Sequence, residues 1–262
     1  MTTAKSILRS AYGATWQTWE RLTYRPTGRY PLVHQGIQRS GTNFLFTVLE
    51  AGEYRVLNRI DPARNNPRHK HFRWQADKDT IVMDPRYRNR LVAETVHDIN
   101  RICRYPDEMR HLVLFRPPRD WIDAIFRWGI SNTWFPSEEA FLDRDLHRAF
   151  LREWHAYYAA WAGFAARDPG QVMMLSYADL RDSREATLAR IDAFMGVQRD
   201  TPVSFGGGGG KVRHSRPMTE ARTGLTRPEI DAAVAEGGAF DWTACSLHDL
   251  PLTEDARKEH AS

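Results

Sequence analysis

The sequence predicts an α/β protein, arranged as three α/β/α layers around a central parallel sheet. Two observations carry that prediction. Short apolar runs beginning at Val33, His111 and Val172 are each followed by a stretch whose apolar residues recur at helical spacing. Apolar strands that alternate with amphipathic helices in this way point to a parallel sheet covered on both faces. A chain of 262 residues with no interior linker is long enough for one large α/β unit. We place it at residues 31–252, after an amphipathic N-terminal segment over 1–30 and before a polar tail over 253–262.

The first strand runs from Val33 into the loop Gly36-Ile37-Gln38-Arg39-Ser40-Gly41 and then into a helix starting near Thr42-Asn43-Phe44-Leu45. Such a junction aims unsatisfied amides and a positive dipole end at one point, which suits a phosphate or a sulfate. It is not a Walker loop. Arg39 precedes the glycine and no Gly-Lys pair follows, which argues against an ordinary ATPase or GTPase. An ordinary helix start, with Ser40 or Thr42 capping orphan amides, accounts for the same residues taken alone.

The second strand, through Leu112 to Phe115, ends in the basic turn Arg116-Pro117-Pro118-Arg119, where a helix opens at about Arg119 with Asp120 in its first turn. In the third unit the strand Val172–Ser176 leads into Tyr177-Ala178-Asp179-Leu180 and then a helix from Arg184. There Leu188, Ile191 and Met195 fall on one face, and Gly196 sits where a left-handed C-cap belongs.

Between the first two units, residues 58–74 form a polar, basic, turn-rich loop containing His69-Lys70-His71, followed by a short strand at Thr80–Asp84. It is expected to emerge at the carboxyl edge of the sheet, where open α/β folds bind ligands. Ser137 opens a helix, and Phe150, Trp154, Tyr157, Tyr158 and Trp161 continue an aromatic stripe that we assign to core packing. The glycine run 206–210 precedes Lys211 and Arg213, and Thr226-Arg227-Pro228-Glu229 starts a further capped helix.

Taken together, the three strand-loop-helix units resemble the sulfotransferases that use 3′-phosphoadenosine 5′-phosphosulfate (PAPS). The resemblance spans most of residues 31–197 and implies a P-loop-like sulfotransferase fold. It implies that Arg39, standing where a lysine is usual, meets the 5′-phosphate with Ser40, Gly41, Thr42, Asn43 and Phe44, the backbone amides of Ser40 to Phe44 facing the anion. It gives Arg116 to the 3′-phosphate and Tyr177 to the adenine. It gives Lys211 and Arg213, or the rival match Arg222, to a cofactor loop. Lys70 is implied to hold the sulfonate and His71 to act as base, with His69 a second candidate for that base. The pattern departs from the family at Ala124, where a serine is expected.

The resemblance thus implies an enzyme transferring a sulfonate from PAPS, without a metal, to a hydroxyl or amine of a small molecule or glycan. Two alternatives stay open: a P-loop kinase or other phosphotransferase, and a non-catalytic sulfotransferase-like binding protein, which Ala124 keeps in play.

A net charge of +4 is modest, and abundant arginine suits a polyanionic cofactor. Neither a zinc-finger spacing nor a basic recognition helix appears, so no nucleic-acid partner is expected. Cys103 and Cys245 have no metal spacing, no secretory signal is visible, and no apolar run approaches a membrane span. A soluble protein of a reducing, cytoplasmic compartment is therefore expected. The Lys5 to Arg25 stretch reads as a helix docking on its own domain, with peripheral membrane contact as the alternative. Neither the acceptor nor the oligomeric state is legible.

Overall fold

The structure is a computed structural model and describes Thr15 and residues 30–59, 62, 66–74, 91–131, 137–141, 144–203, 205 and 223–236. Among the described residues four strands, β1 (Pro31–Gln35), β2 (Arg55–Val56), β3 (His111–Phe115) and β4 (Val172–Ser176), form one sheet in the order β2-β1-β3-β4. All neighbours are parallel, with Val33 opposite His111 and His111 opposite Val172.

The helices are α1 (Thr42–Ala51), α2 (Val96–Cys103), α3 (Pro118–Ser131), α4 (Glu138–Phe141), α5 (Arg144–Arg167), α6 (Tyr177–Asp182), α7 (Arg184–Met195) and α8 (Arg227–Ala235). Among the described residues no helix is long and apolar enough to cross a membrane. The predicted strand at Thr80–Asp84, the N-terminal segment, the glycine run, Cys245 and the tail lie outside the described residues.

The predicted three-layer arrangement is read directly from β3. Its side chains alternate across the sheet. Leu112 and Leu114 pack with Leu45 and Leu49 of α1, Leu180 of α6, and Leu188 and Ile191 of α7. Val113 and Phe115 pack on the other face with Ile99 of α2, Trp121 and Ile125 of α3, Trp154 and Tyr158 of α5, and Ile230 of α8. All five side chains of β3 are buried, four of them apolar and the fifth that of His111.

Local chemistry sets the element ends. Thr95 and Asp98 form a capping box at the start of α2, and Thr226 and Glu229 form another at α8. Helix α3 begins at Pro118, one residue before the expected start; proline lacks only an amide that the first turn would leave unpaired. Ser176 caps α6, and Gly196 ends α7 with φ of 68°.

The strand order has a functional consequence. After β1 the chain moves outward to β2, then crosses back so that β3 lies on the other side of β1. The carboxyl ends of β1 and β3 therefore face a topological switch point, where helices on opposite faces diverge and leave a crevice. Asn58 fixes the β1 side: its Oδ1 accepts from His34 N (3.0 Å), and its Nδ2 donates to His34 O (2.7 Å).

Burial also fixes the protonation of His111 at the start of β3. Its Nε2 donates to Asn100 Oδ1 (2.7 Å), whose amide group is already turned toward Asp107 and Met109 carbonyls. Desolvation lowers its pKa to about 3, so the unfolded chain takes up this proton before the native one. Stability is complete above the ordinary histidine value and falls as pH drops from about 6.5 toward 3, by up to about 1.4 kcal/mol per pH unit from this group. His111→Gln should remove one proton from the acid limb of a stability profile measured by urea unfolding at stepped pH. An unchanged slope would contradict it.

Candidate functional site

The loop after β1 is shaped by two residues in the left-handed region, Arg39 (φ 67°) and Gly41 (φ 101°), with Ser40 between them at negative φ. Alternation of this kind makes a concave run of amides, an anion nest. Gly41 is required for two reasons. Its φ is costly for any side chain, and a Cβ there would lie 2.6 Å from Cε2 of Tyr177.

Of the five amides expected to face an anion, two are engaged inside the protein. Ser40 N donates to Ile37 O (3.1 Å) and Phe44 N to Gly41 O (2.8 Å). Tight turning of the loop brings those carbonyls back onto the chain. The amides of Gly41, Thr42 and Asn43 have no acceptor among the described residues. They sit at the positive end of α1, so the nest is narrower than the sequence implied.

The loop is held from below by buried aromatic side chains of α3 and α5. Trp121 Nε1 donates to Gln38 O (2.7 Å), Tyr158 Oη donates to Leu114 O (2.9 Å), and Ile37 N donates to Tyr158 Oη (3.4 Å). Trp154 Nε1 donates to Arg116 O (3.0 Å). The aromatic stripe is core, as expected, and its polar atoms also position the backbone of both cation-bearing loops.

Arg39 and Arg116 meet in this crevice. Burial, then the charge of Arg116, lower the pKa of Arg39 to about 10; Arg127 adds to this and Tyr177 opposes it. It remains charged at neutral pH. Arg116 is also lowered, first by burial, with Tyr177 and Asp120 opposing and Arg127 and Arg181 adding. Its guanidinium lies 4.8 Å over the Tyr177 ring, which in turn meets Phe44 edge-on at 6.3 Å. Tyr177 therefore sits against the nest and under Arg116, bridging the ends of β1, β3 and β4.

The basic loop 66–74 docks on the same crevice. Gly36 N donates to Lys70 O (3.1 Å), and His71 Nδ1 donates to Gly36 O. Lys70 is buried and its Nζ donates to Asn43 Oδ1 (2.8 Å), at the mouth of the nest. His71 N donates to His69 Nδ1 (3.1 Å), so that nitrogen of His69 carries a lone pair and serves the loop. Burial first, then the charges of His69 and Lys70, hold His71 well below the ordinary histidine value, opposed by its bond to Gly36. Its ring is thus neutral, with the proton on Nδ1 and a lone pair on Nε2.

Sequence reasoning missed the residue that ties these pieces together. Arg73 is buried and forks in three directions. Nε donates to Glu153 Oε1 of α5 (2.8 Å), Nη2 to Gln38 Oε1 of the nest loop (2.6 Å), and Nη1 to His71 O (2.5 Å). Its ion pair with Glu153 is fully buried. A partner 80 positions away has no local signature, and Arg73 reads in sequence as one more charge in a basic run.

Lys211, Arg213 and Arg222 lie outside the described residues. Immediately after Arg222, Thr223 donates through N and Oγ1 to Asp123 Oδ1 of α3 (3.0 Å each). Ala124 of the same helix is buried and offers no hydroxyl.

No family model and no curated protein sequence matches this chain. Among solved structures, the chain is similar to mouse sulfotransferase SULT7A1, solved complexed with PAP. The identity is 12% and the TM-score 0.36, over 86% of this chain and 69% of that one.

Breaking the buried pair by Arg73→Met should cost about 3–5 kcal/mol in urea unfolding, because Glu153 is left charged and unpaired. The double change Arg73→Met with Glu153→Leu should recover most of that loss. A double variant as unstable as the single one would show that the two charges are not coupled.

Proposed function

We propose that this protein is a sulfotransferase that takes a sulfonate from PAPS to a hydroxyl or amine acceptor. The observation that carries the reading is the shared crevice: the Tyr177 ring lies under the Arg116 guanidinium at 4.8 Å and against Gly41, so Arg116 and the loop of Arg39 come together beside three amides without an acceptor among the described residues. Like charges brought together during folding raise the free energy of the empty site, and an anion with two phosphates relieves it. The Nε of Arg116 is buried with no hydrogen-bond partner among the described residues, a polar atom that a bound phosphate would satisfy. The absence of a Gly-Lys-Ser/Thr loop favours this reading over a nucleoside-triphosphate phosphotransferase.

When bound, PAPS supplies a sulfonate whose bond to the 5′-phosphate oxygen breaks as a bond from sulfur to the acceptor oxygen or nitrogen forms. Arg39 and the amides of Gly41, Thr42 and Asn43 stabilise the charge on the leaving phosphate. Lys70, oriented by Asn43, neutralises the sulfonate oxygens. His71 takes the acceptor proton on Nε2, while Gly36 O holds its Nδ1 proton. Arg39 acts as a fixed clamp, since a guanidinium does not give up its proton in this range. Arg116 holds the 3′-phosphate and Tyr177 flanks the adenine. The 31–252 domain, an acceptor that is a small molecule or glycan, and a cytoplasmic setting belong to the same reading.

Calorimetry with 3′,5′-adenosine bisphosphate tests the seat directly. Wild-type protein should bind it more tightly than ATP with magnesium, and Arg39→Ala or Arg116→Ala should weaken it by about 10- to 100-fold, the range for one charge-assisted contact. Preference for ATP with magnesium would overturn the assignment. In turnover with PAPS and an acceptor library, His71→Asn should lower kcat by roughly 100- to 10,000-fold. Because His71 is held below its ordinary value, wild-type activity should stay level from pH 8 to below pH 6 and fall only in stronger acid. A loss centred near pH 6.5 would exclude His71 as the base.

A further inference from the structure

Three polar groups of His71 are committed inside the protein, which leaves its Nε2. Its N donates to His69 Nδ1 (3.1 Å), its O accepts from Arg73 Nη1 (2.5 Å), and its Nδ1 donates to Gly36 O. Gly36 returns the contact, since its own N donates to Lys70 O (3.1 Å). With both flanking peptide groups held, the direction of the His71 side chain is set. The Gly36 carbonyl then selects the ring tautomer, because a carbonyl accepts only from a protonated nitrogen. The hold on the 71–72 peptide comes from Arg73, whose guanidinium is itself fixed from several sides. Its Nε and Nη2 lie 2.8 and 2.7 Å from Glu153 Oε1, its Nη2 donates to Gln38 Oε1 (2.6 Å), and its centre stands 5.2 Å over the Tyr157 ring. A fully buried ion pair adds little net stability over apolar residues of the same volume, so stability does not account for these two charges.

We propose that Arg73, braced by Glu153, is a positioning residue for His71: it holds the 71–72 peptide so that the ring keeps its proton on Nδ1 and turns the Nε2 lone pair to the crevice. The loop after β1 does not depend on the same fork. Gln38 O accepts from Trp121 Nε1 (2.7 Å) and Ile37 N donates to Tyr158 Oη (3.4 Å), so its backbone stays anchored when the Gln38 side chain is released. Loss of the pair is therefore felt in the proton-accepting step and not in the hold on the donor nucleotide. The ring tautomer is a property of this chain alone, whereas the kinetic consequence rests on the sulfotransferase reading above.

The double variant Arg73→Met with Glu153→Leu separates folding from positioning, since it should regain most of the stability lost in Arg73→Met alone. Long-range proton–nitrogen correlation of the histidine rings in isotope-labelled protein at pH 8, where the rings are neutral, reads the tautomer. The His71 signals are assigned by their loss in His71→Asn. Wild type should carry the His71 proton on Nδ1, and the folded double variant should lose that bias. In turnover with PAPS and an acceptor, its kcat should drop about 100-fold while KM for PAPS moves less than about 3-fold. Arg73→Lys, which keeps a charge beside Glu153 but cannot fork, should fall between the two, and it decides by the same measurement if the double variant does not fold. A wild-type tautomer in the folded double variant, or in Arg73→Lys where only that variant folds, would overturn the positioning role. No turnover of PAPS by wild type would overturn the sulfotransferase reading instead, and the tautomer comparison would still decide the role of Arg73.

Discussion

The arrangement of this protein turns on the forced proximity of like charges at the carboxyl ends of two adjacent parallel strands. Pairing of β1 with β3 brings Arg39 and Arg116 into one crevice, and the pKa of each is lowered further by the charge of Arg127 on α3. Desolvation and mutual repulsion both oppose this geometry, so the surrounding scaffold has to be rigid enough to hold it. The backbone of each cation-bearing loop is anchored by an indole from the buried aromatic layer, Trp121 on Gln38 and Trp154 on Arg116. These bonds are shielded from water, which makes them costly to break.

Arg73 has the matching role for the histidine loop. Its three bonds join the segment carrying His71, the nest loop through Gln38, and the long helix α5 through Glu153. A buried ion pair contributes little net stability over an apolar replacement. Its value here is directional, since a guanidinium fixes three acceptors in one plane and so sets the His71 backbone relative to the nest. The ring of His71 is then oriented by a single carbonyl, that of Gly36, which belongs to the nest loop itself. The His71 ring and the loop after β1 are thereby one mechanical unit.

Much of the layout was legible without coordinates. The apolar runs, the helix face of Leu188, Ile191 and Met195, the cap at Gly196, and the box at Thr226 and Glu229 follow from local rules and occur where expected. That Arg39, Arg116, Lys70, His71 and Tyr177 gather at one end of the sheet was also legible, because each lies beside a strand end or within the basic loop that returns to it. Less was visible of how many amides the nest offers. Ser40 and Phe44 are engaged by the carbonyls of Ile37 and Gly41, a matter of loop curvature that residue types do not encode.

By itself the sequence determined the periodicities, the caps and turns, and therefore a parallel α/β sheet with basic loops at its carboxyl edge; these depend on neighbours a few residues apart. Only the tertiary structure decided which strands adjoin, and hence that the ends of β1 and β3 open on a common crevice. It alone decided that Arg73 finds Glu153 and that Tyr177 packs on Gly41. The physical reason is range: such contacts join residues far apart in the chain, and their energies exist only once the packed layers have excluded water from between them.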